Sequence, residues 1–135
     1  MRCPYMLDTD VCSYLIKGIF PRLNEQIKKH SSDICMSSIT LAELLYGAQE
    51  KGSSKIADHI ACLQMLVEVK NWNSEAAQHY SIIRAELEKS GSTIGNMDML
   101  IAASALAEDA VLVTNNTTHF SRISNLRIQN WVNGE

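Results

Sequence analysis

The sequence predicts an α/β fold built on a mostly parallel sheet, and three features carry that prediction. Apolar runs of three to five residues alternate with longer stretches whose apolar residues recur at helical spacing. Polar clusters, Asp8-Thr9-Asp10 and Thr114-Asn115-Asn116, directly follow two of the apolar runs, where strand ends are expected. The stretch over 97–108 is apolar almost all round, which places it as a central helix. Strands alternating with helices form a parallel sheet covered by helices, and ligands of such sheets gather beyond the carboxyl ends of the strands.

Taken in order, Tyr5-Met6-Leu7 is the first strand and ends on Asp8. Asp10 is placed to cap a helix with Val11, Tyr14, Leu15 and Ile16 as its apolar positions, and Gly18 ends it. Pro21 opens a second helix with Leu23 and Ile27 inward. Lys28, Lys29 and His30 lie near its end, where cations suit the helix dipole. Ile34-Cys35-Met36-Ser37 reads as strand two, followed by a helix over about 41–50. Gly52-Ser53-Ser54 interrupts the chain before a helix over 55–66, and Val67-Glu68-Val69 reads as strand three. Asn73 or Ser74 caps a long helix in which Ala76, Ala77, Tyr80, Ile83 and Leu87 recur at helical spacing up to Ser90-Gly91. Residues 92–95 form a loop before the central helix. Val111-Leu112-Val113 is a buried strand ending at Thr114, and 128–131 is a short final strand.

A chain of 135 residues fits one domain, 1–135, and a hydrophobic content of 46% supports a core without disulfides or a structural metal. Twelve basic against 15 acidic side chains leave a formal charge of -3, which excludes a basic, sequence-independent nucleic-acid coat. It leaves room for an enzyme that touches RNA locally, because a bound cation inverts the sign of a carboxylate site. Cys3, Cys12, Cys35 and Cys62 form no Cys-x-x-Cys pair, so neither a zinc ribbon nor a thioredoxin-type motif is expected. They read as reduced core thiols of a cytoplasmic protein. No apolar run approaches a membrane span, and the segment before the first strand is too short for a signal peptide.

Four residues stand out as a constellation. Asp8 follows strand one, Glu43 lies in the helix after strand two, Asp98 opens the central helix and Asn116 follows the late buried strand. Each also has a purely structural reading. Asp8 suits a turn or a cap, and Glu43 completes a capping box over Thr40-Leu41-Ala42-Glu43. Asp98 complements the helix dipole, and Asn116 forms a turn. The set is more informative than its members. Three carboxylates converging at one strand-end cleft repel each other and raise their pKa values, so such a cluster calls for a hard cation. Magnesium and manganese accept oxygen ligands, acidify a bound water and neutralise charge on a phosphate.

Four ordered blocks resemble PIN-domain toxins of the VapC type. They are Met6-Leu7-Asp8-Thr9-Asp10, Ser37-Ser38-Ile39-Thr40-Leu41-Ala42-Glu43-Leu44-Leu45-Tyr46-Gly47, Gly95-Asn96-Met97-Asp98-Met99-Leu100-Ile101-Ala102-Ala103, and Leu112-Val113-Thr114-Asn115-Asn116-Thr117-Thr118-His119-Phe120. The resemblance implies a three-layer α/β/α sandwich and a Mg2+- or Mn2+-dependent endoribonuclease. It also implies a homodimer silenced by a VapB-type antitoxin, with initiator tRNA, cut in the anticodon loop, as substrate. The family's metal-binding acids carry over to Asp8, Glu43 and Asp98, and its fourth catalytic position to Asn116. Two departures matter: Asp10 stands where the family usually has Asn, and Asn116 stands where many members have an acid. The latter weakens any second metal site.

Lys17, Arg84 and Lys89 are candidate RNA contacts, and Tyr14 and Tyr46 candidate stacking platforms, against plain surface or core roles for each. The four histidines lie in unrelated segments and receive no catalytic role. Apolar residues Tyr14, Leu15, Ile19 and Phe20 exceed what a small core needs, so the helices over 11–27 are expected to help form the antitoxin groove. Three rivals remain: the same nuclease acting on another tRNA or ribosomal RNA, a PIN-like interaction module without chemistry, and an aspartyl-phosphate phosphotransferase. The last is suggested by Asp8-Thr9-Asp10-Val11 but lacks a lysine near the late strand end.

Overall fold

The computed structural model describes residues 3–133, so positions 1, 2, 134 and 135 of the expected 1–135 domain lie outside the described residues. Within them the order is β1 (Tyr5–Leu7), α1 (Thr9–Lys17), α2 (Pro21–Lys29), β2 (Ile34–Ser37), α3 (Ser38–Lys51), α4 (Ser54–Leu66), β3 (Glu68–Lys70), α5 (Ser74–Ser90), α6 (Asn96–Ala107), β4 (Val111–Val113), α7 (Thr117–Phe120) and β5 (Ile128–Gln129). The strands form one sheet ordered β3-β2-β1-β4-β5. Every neighbouring pair is parallel, with Tyr5 level with Ile34 and Val111, and Leu7 level with Met36 and Val113. The chain winds outward from β1 to β3, then returns to β4 on β1's other side. The strand order therefore reverses between β1 and β4, and at such a point two strand ends diverge and leave a crevice.

The strands are short because both faces are covered. Met6, Cys35 and Leu112 point into a core shared with α5, α6 and α7. Their neighbours Leu7, Met36 and Val113 point into a second core with α1, α2 and α4. That two-residue alternation produces the three-layer sandwich. Helix α6 is buried along Met99 and Ile101–Ala105, which explains its nearly uniform apolarity. Its polar Ser104 is tolerated because the hydroxyl lies 2.8 Å from that of Ser37 at the end of β2.

Several expectations are corrected. Helix α1 is capped by Asp8, whose carboxylate accepts from Val11 N, and not by Asp10, which is exposed in the first turn. Helix α3 begins three residues before the expected 41, because Ser37 caps it through Ile39 N. Thr40 then lies inside the helix, and the capping box with Glu43 does not form. Strand β3 is shifted one residue, β5 is two residues shorter than 128–131, and α7 lies where no helix was expected. Cys3 and Cys35 are joined as a disulfide, with Cα atoms 5.9 Å apart. The chain entering β1 passes beside β2, a long-range proximity that residue spacing does not encode. Cys12 is buried as expected, but Cys62 is exposed on α4.

Candidate active site

Asp8 leaves β1 at the reversal of strand order and is 4% exposed. Its Oδ1 accepts from Val11 N at 2.9 Å, so one side chain both caps α1 and faces the crevice. Burial pushes its carboxyl up to about 7 from an ordinary 3.8. The Thr114 hydroxyl and Val11 N–H oppose that rise, while the charges of Asp10 and Asp98 add to it. Asp98, in the first turn of α6, is also raised, first by partial burial and then by Asp10, against the pull of His119. Desolvated carboxylates that repel one another are poorly accommodated alone, and a hard cation is the group that resolves this.

Position follows from docking. Ser37 anchors α6 through Ser104, and Trp72 donates its indole N–H to the Leu100 carbonyl at 2.9 Å. The same Trp72 donates its backbone N–H to the Ser38 hydroxyl. These bonds tie α6 to the ends of β2 and β3, and so aim Asp98 at Asp8.

Glu43 is placed differently. The Thr9 hydroxyl donates to its Oε1 at 2.5 Å, and Thr9 Oγ1 lies 3.3 Å from the buried Thr40 hydroxyl. This network holds Glu43 at the crevice edge. Among the described residues, no three His, Cys, Asp or Glu side chains are gathered so as to hold a metal ion between them. The charge of Asp98 adds to the rise at Asp8, and Glu43 is held by Thr9, the residue after Asp8. Asn116 lies at the same end of the sheet, its backbone N–H donating to the Thr114 hydroxyl at 2.9 Å. Its amide nitrogen is 2.9 Å from His119 Nδ1, and that ring nitrogen is 3.9 Å from Asp98 Oδ2.

His119 thus belongs to the site, although no histidine was assigned to it. The overlooked signal is its position three residues after Asn116, where the first turn of α7 folds it back. Thr9 and Thr114 were also missed as partners of the acids. Of the proposed RNA contacts, Lys17 borders a groove that opens beside Asp10 and Glu43, whereas Arg84 is engaged with Glu88 and Tyr80. Tyr14 packs edge-on against Phe20, and Tyr46 is 65% exposed.

The profile of the PIN domain family matches residues 5–126. The chain is 37% identical over 132 residues to the tRNA(fMet)-specific endonuclease VapC of Salmonella typhimurium, covering 94% of this chain and 97% of that protein. It is 39% identical over 134 residues to Ribonuclease VapC2 of Rickettsia felis, with the same coverage. Its backbone superimposes on VapBC2 from Rickettsia felis bound to a promoter DNA fragment with a TM-score of 0.87, at 36% identity and over 94% of this chain and 98% of that one. DNA-bound VapBC from Salmonella typhimurium gives 0.86, at 37% identity and over 95% and 98% of the two chains. Matched along nearly its whole length in sequence and backbone, the chain belongs to the PIN domain family, in its VapC branch.

Proposed function

We propose that this chain is a single catalytic domain acting as a divalent-metal-dependent endoribonuclease, the toxin of a toxin–antitoxin pair. The observation that carries this reading is the placement of Asp8 after β1, at the reversal of strand order, and of Asp98 in the first turn of α6, two carboxylates whose pKa values burial raises. Asp8 and Asp98 would hold a Mg2+ or Mn2+ ion, with Glu43 as the third carboxylate, tethered by Thr9. Magnesium keeps several of its waters and needs few protein ligands, so this donor set suits it. When bound, such an ion polarises the scissile phosphodiester and makes an attacking water more acidic. The chain's own residues supply the geometry. Thr114 and Val11 N–H fix the Asp8 carboxylate, Thr9 fixes Glu43, and Asn116 fixes the His119 ring beside Asp98. Asn116 contributes no charge, so a second ion is weakly held.

The relatives from Salmonella typhimurium and Shigella flexneri are named tRNA(fMet)-specific endonucleases. Initiator tRNA, cut in its anticodon loop, is the proposed substrate. Solved neighbours include VapBC complexes, and the chain is proposed to act as a homodimer whose partner is a VapB-type antitoxin. A groove of about 230 Å3 lined by Leu15, Ile16 and Ile27 with Leu63, Leu66 and Val67 supports that assignment. The first two helices, expected to help form such a groove, contribute Leu15, Ile16 and Ile27 to it. Tyr14 and Phe20 pack against the core, and α4 supplies the opposite wall. None of the helices among the described residues is long and apolar enough to cross a membrane.

The test is cleavage of purified initiator tRNA with Mg2+, with Mn2+ and with chelator, followed by sequencing of RNA ends from cells producing the protein. Cuts confined to another RNA would replace the substrate. Absence of any metal-dependent cut, with Asp98→Asn indistinguishable from the parent, would remove the enzymatic reading.

A further inference from the structure

We infer that Lys17, Lys51 and Lys55 form a phosphate-binding track that carries single-stranded RNA away from the carboxylates. The inference rests on the ribonuclease reading above and deepens it. A groove of about 510 Å3 runs between α1, α3 and α4, with Asp10 and Glu43 at one end, the three lysines along it, and Ile16, Leu44, Ile56 and Ile60 also lining it. Helical geometry sets the spacing. Glu43, Gly47 and Lys51 follow one another at four-residue intervals on one face of α3, which puts Lys51 about 12 Å beyond Glu43. Lys17 lies about 10 Å beyond Asp10 along α1 by the same rise. Gly47 has nothing within 4 Å of where a Cβ would stand, so the floor between Glu43 and Lys51 stays open.

Helix dipoles account for only part of the charge pattern. All three lysines are exposed, and among the described residues no ion pair engages any of them, whereas Arg84, Arg127 and Lys70 are each paired. Lys17 and Lys51 occupy last helical turns, where the dipole favours a cation. Lys55 does not: it lies in the first turn of α4, where the dipole disfavours it. Three free ammonium groups in one groove, one of them at a helix N-terminus, concentrate positive potential on a chain whose net charge is -3. A polyanion entering the acidic crevice needs such a counterweight. The groove is bounded by three helices, which suits one strand rather than a duplex, and unpaired loops are where RNA offers single strands.

The experiment uses the full chain with Asp98→Asn, which allows binding to be read without cleavage. Fluorescence anisotropy of a short fluorescein-labelled single-stranded RNA is followed across a salt series. The triple variant Lys17→Gln, Lys51→Gln, Lys55→Gln is compared with Arg22→Gln, Lys28→Gln, Lys29→Gln, which removes equal charge outside the groove. The track predicts that the first set weakens binding at least tenfold and flattens the slope of log affinity against log salt by about 2, at roughly 0.7 per lost phosphate contact. The second set is expected to leave the slope near the parent's. Equal effects from both sets, or none from the first, overturn the track while leaving the nuclease reading intact. Loss of antitoxin affinity with RNA binding unchanged reassigns the lysines to the protein partner and also overturns it. If the Asp98→Asn parent does not bind RNA and the chain with Asp98 intact does not cleave it, the ribonuclease reading itself fails.

Discussion

Asp8→Asn is expected to stabilise the metal-free fold at neutral and alkaline pH while abolishing cleavage. The Asp8 carboxyl is 4% exposed and titrates near 7 in the folded chain against 3.8 as the ordinary value. Folding therefore takes up a proton at this position. Below about pH 4 the group is neutral in both states and costs nothing. As pH rises the unfolded chain ionises first, and the folded state loses stability until the full penalty stands above about pH 7. Three units of displacement correspond to about 4 kcal/mol, an upper bound for a site that water and local movement relax. Asparagine keeps an oxygen to accept from Val11 N at 2.9 Å, so the α1 cap survives, the charge is removed, and the amide nitrogen donates where the second carboxylate oxygen accepted. A gain of about 1–4 kcal/mol raises the melting temperature of a domain this size by about 3–15 °C. Thermal melts in chelator at pH 8 are expected to place the variant above the parent, with the two converging near pH 4. Added Mg2+ is expected to raise the parent only, by mass action on the folded state. A variant equal to or below the parent at pH 8 in chelator, or a difference independent of pH, would refute the reasoning.

Asp98→Asn is expected to abolish cleavage and leave the metal-free melting temperature equal or slightly higher, since burial and Asp10 raise that carboxyl in the same direction; a melt several degrees lower in chelator contradicts this. Glu43→Ala loses one hydrogen bond from Thr9, about 0.5–1.5 kcal/mol. Ser37→Ala loses the α3 cap and the partner of Ser104, about 1–3 kcal/mol; urea midpoints that rank the two in the opposite order would restore the capping role to Glu43. Cleavage is expected to stop in chelator, return with Mg2+ or Mn2+, and leave 5′-phosphate and 3′-hydroxyl ends. Cyclic-phosphate ends formed in chelator would instead place the chemistry on the neighbouring ribose hydroxyl and remove Asp8, Glu43 and Asp98 from the catalytic centre.

What the sequence by itself determined was whatever its periodicity and punctuation encode locally. The apolar run before Asp8 is a strand, Pro21 opens α2, and Asn73 and Gly91 bound α5. The all-round apolarity of α6 matches its burial. The four ordered blocks were enough for the family, because a nuclease of this kind needs its acids at fixed places along the strand–helix alternation. Local spacing also left Asp8 and Asp10 equally suited to cap α1, and made Glu43 match a capping box. Only the tertiary structure decided those cases, because each depends on an atom far away in the chain. Thr114, just beyond β4, reaches Asp8. Thr9 on α1 takes the Glu43 carboxylate from 34 residues away, and Ser37 takes the α3 cap while holding α6 through Ser104. Cys3 meets Cys35 because β1 lies beside β2, and His119 meets Asp98 because α7 turns back over the end of β4. Residue spacing offers candidate caps, because a cap is a contact within one turn, but does not choose among them. A shared crevice is set by which strands are neighbours, and that order is fixed by burying both faces of the sheet at once.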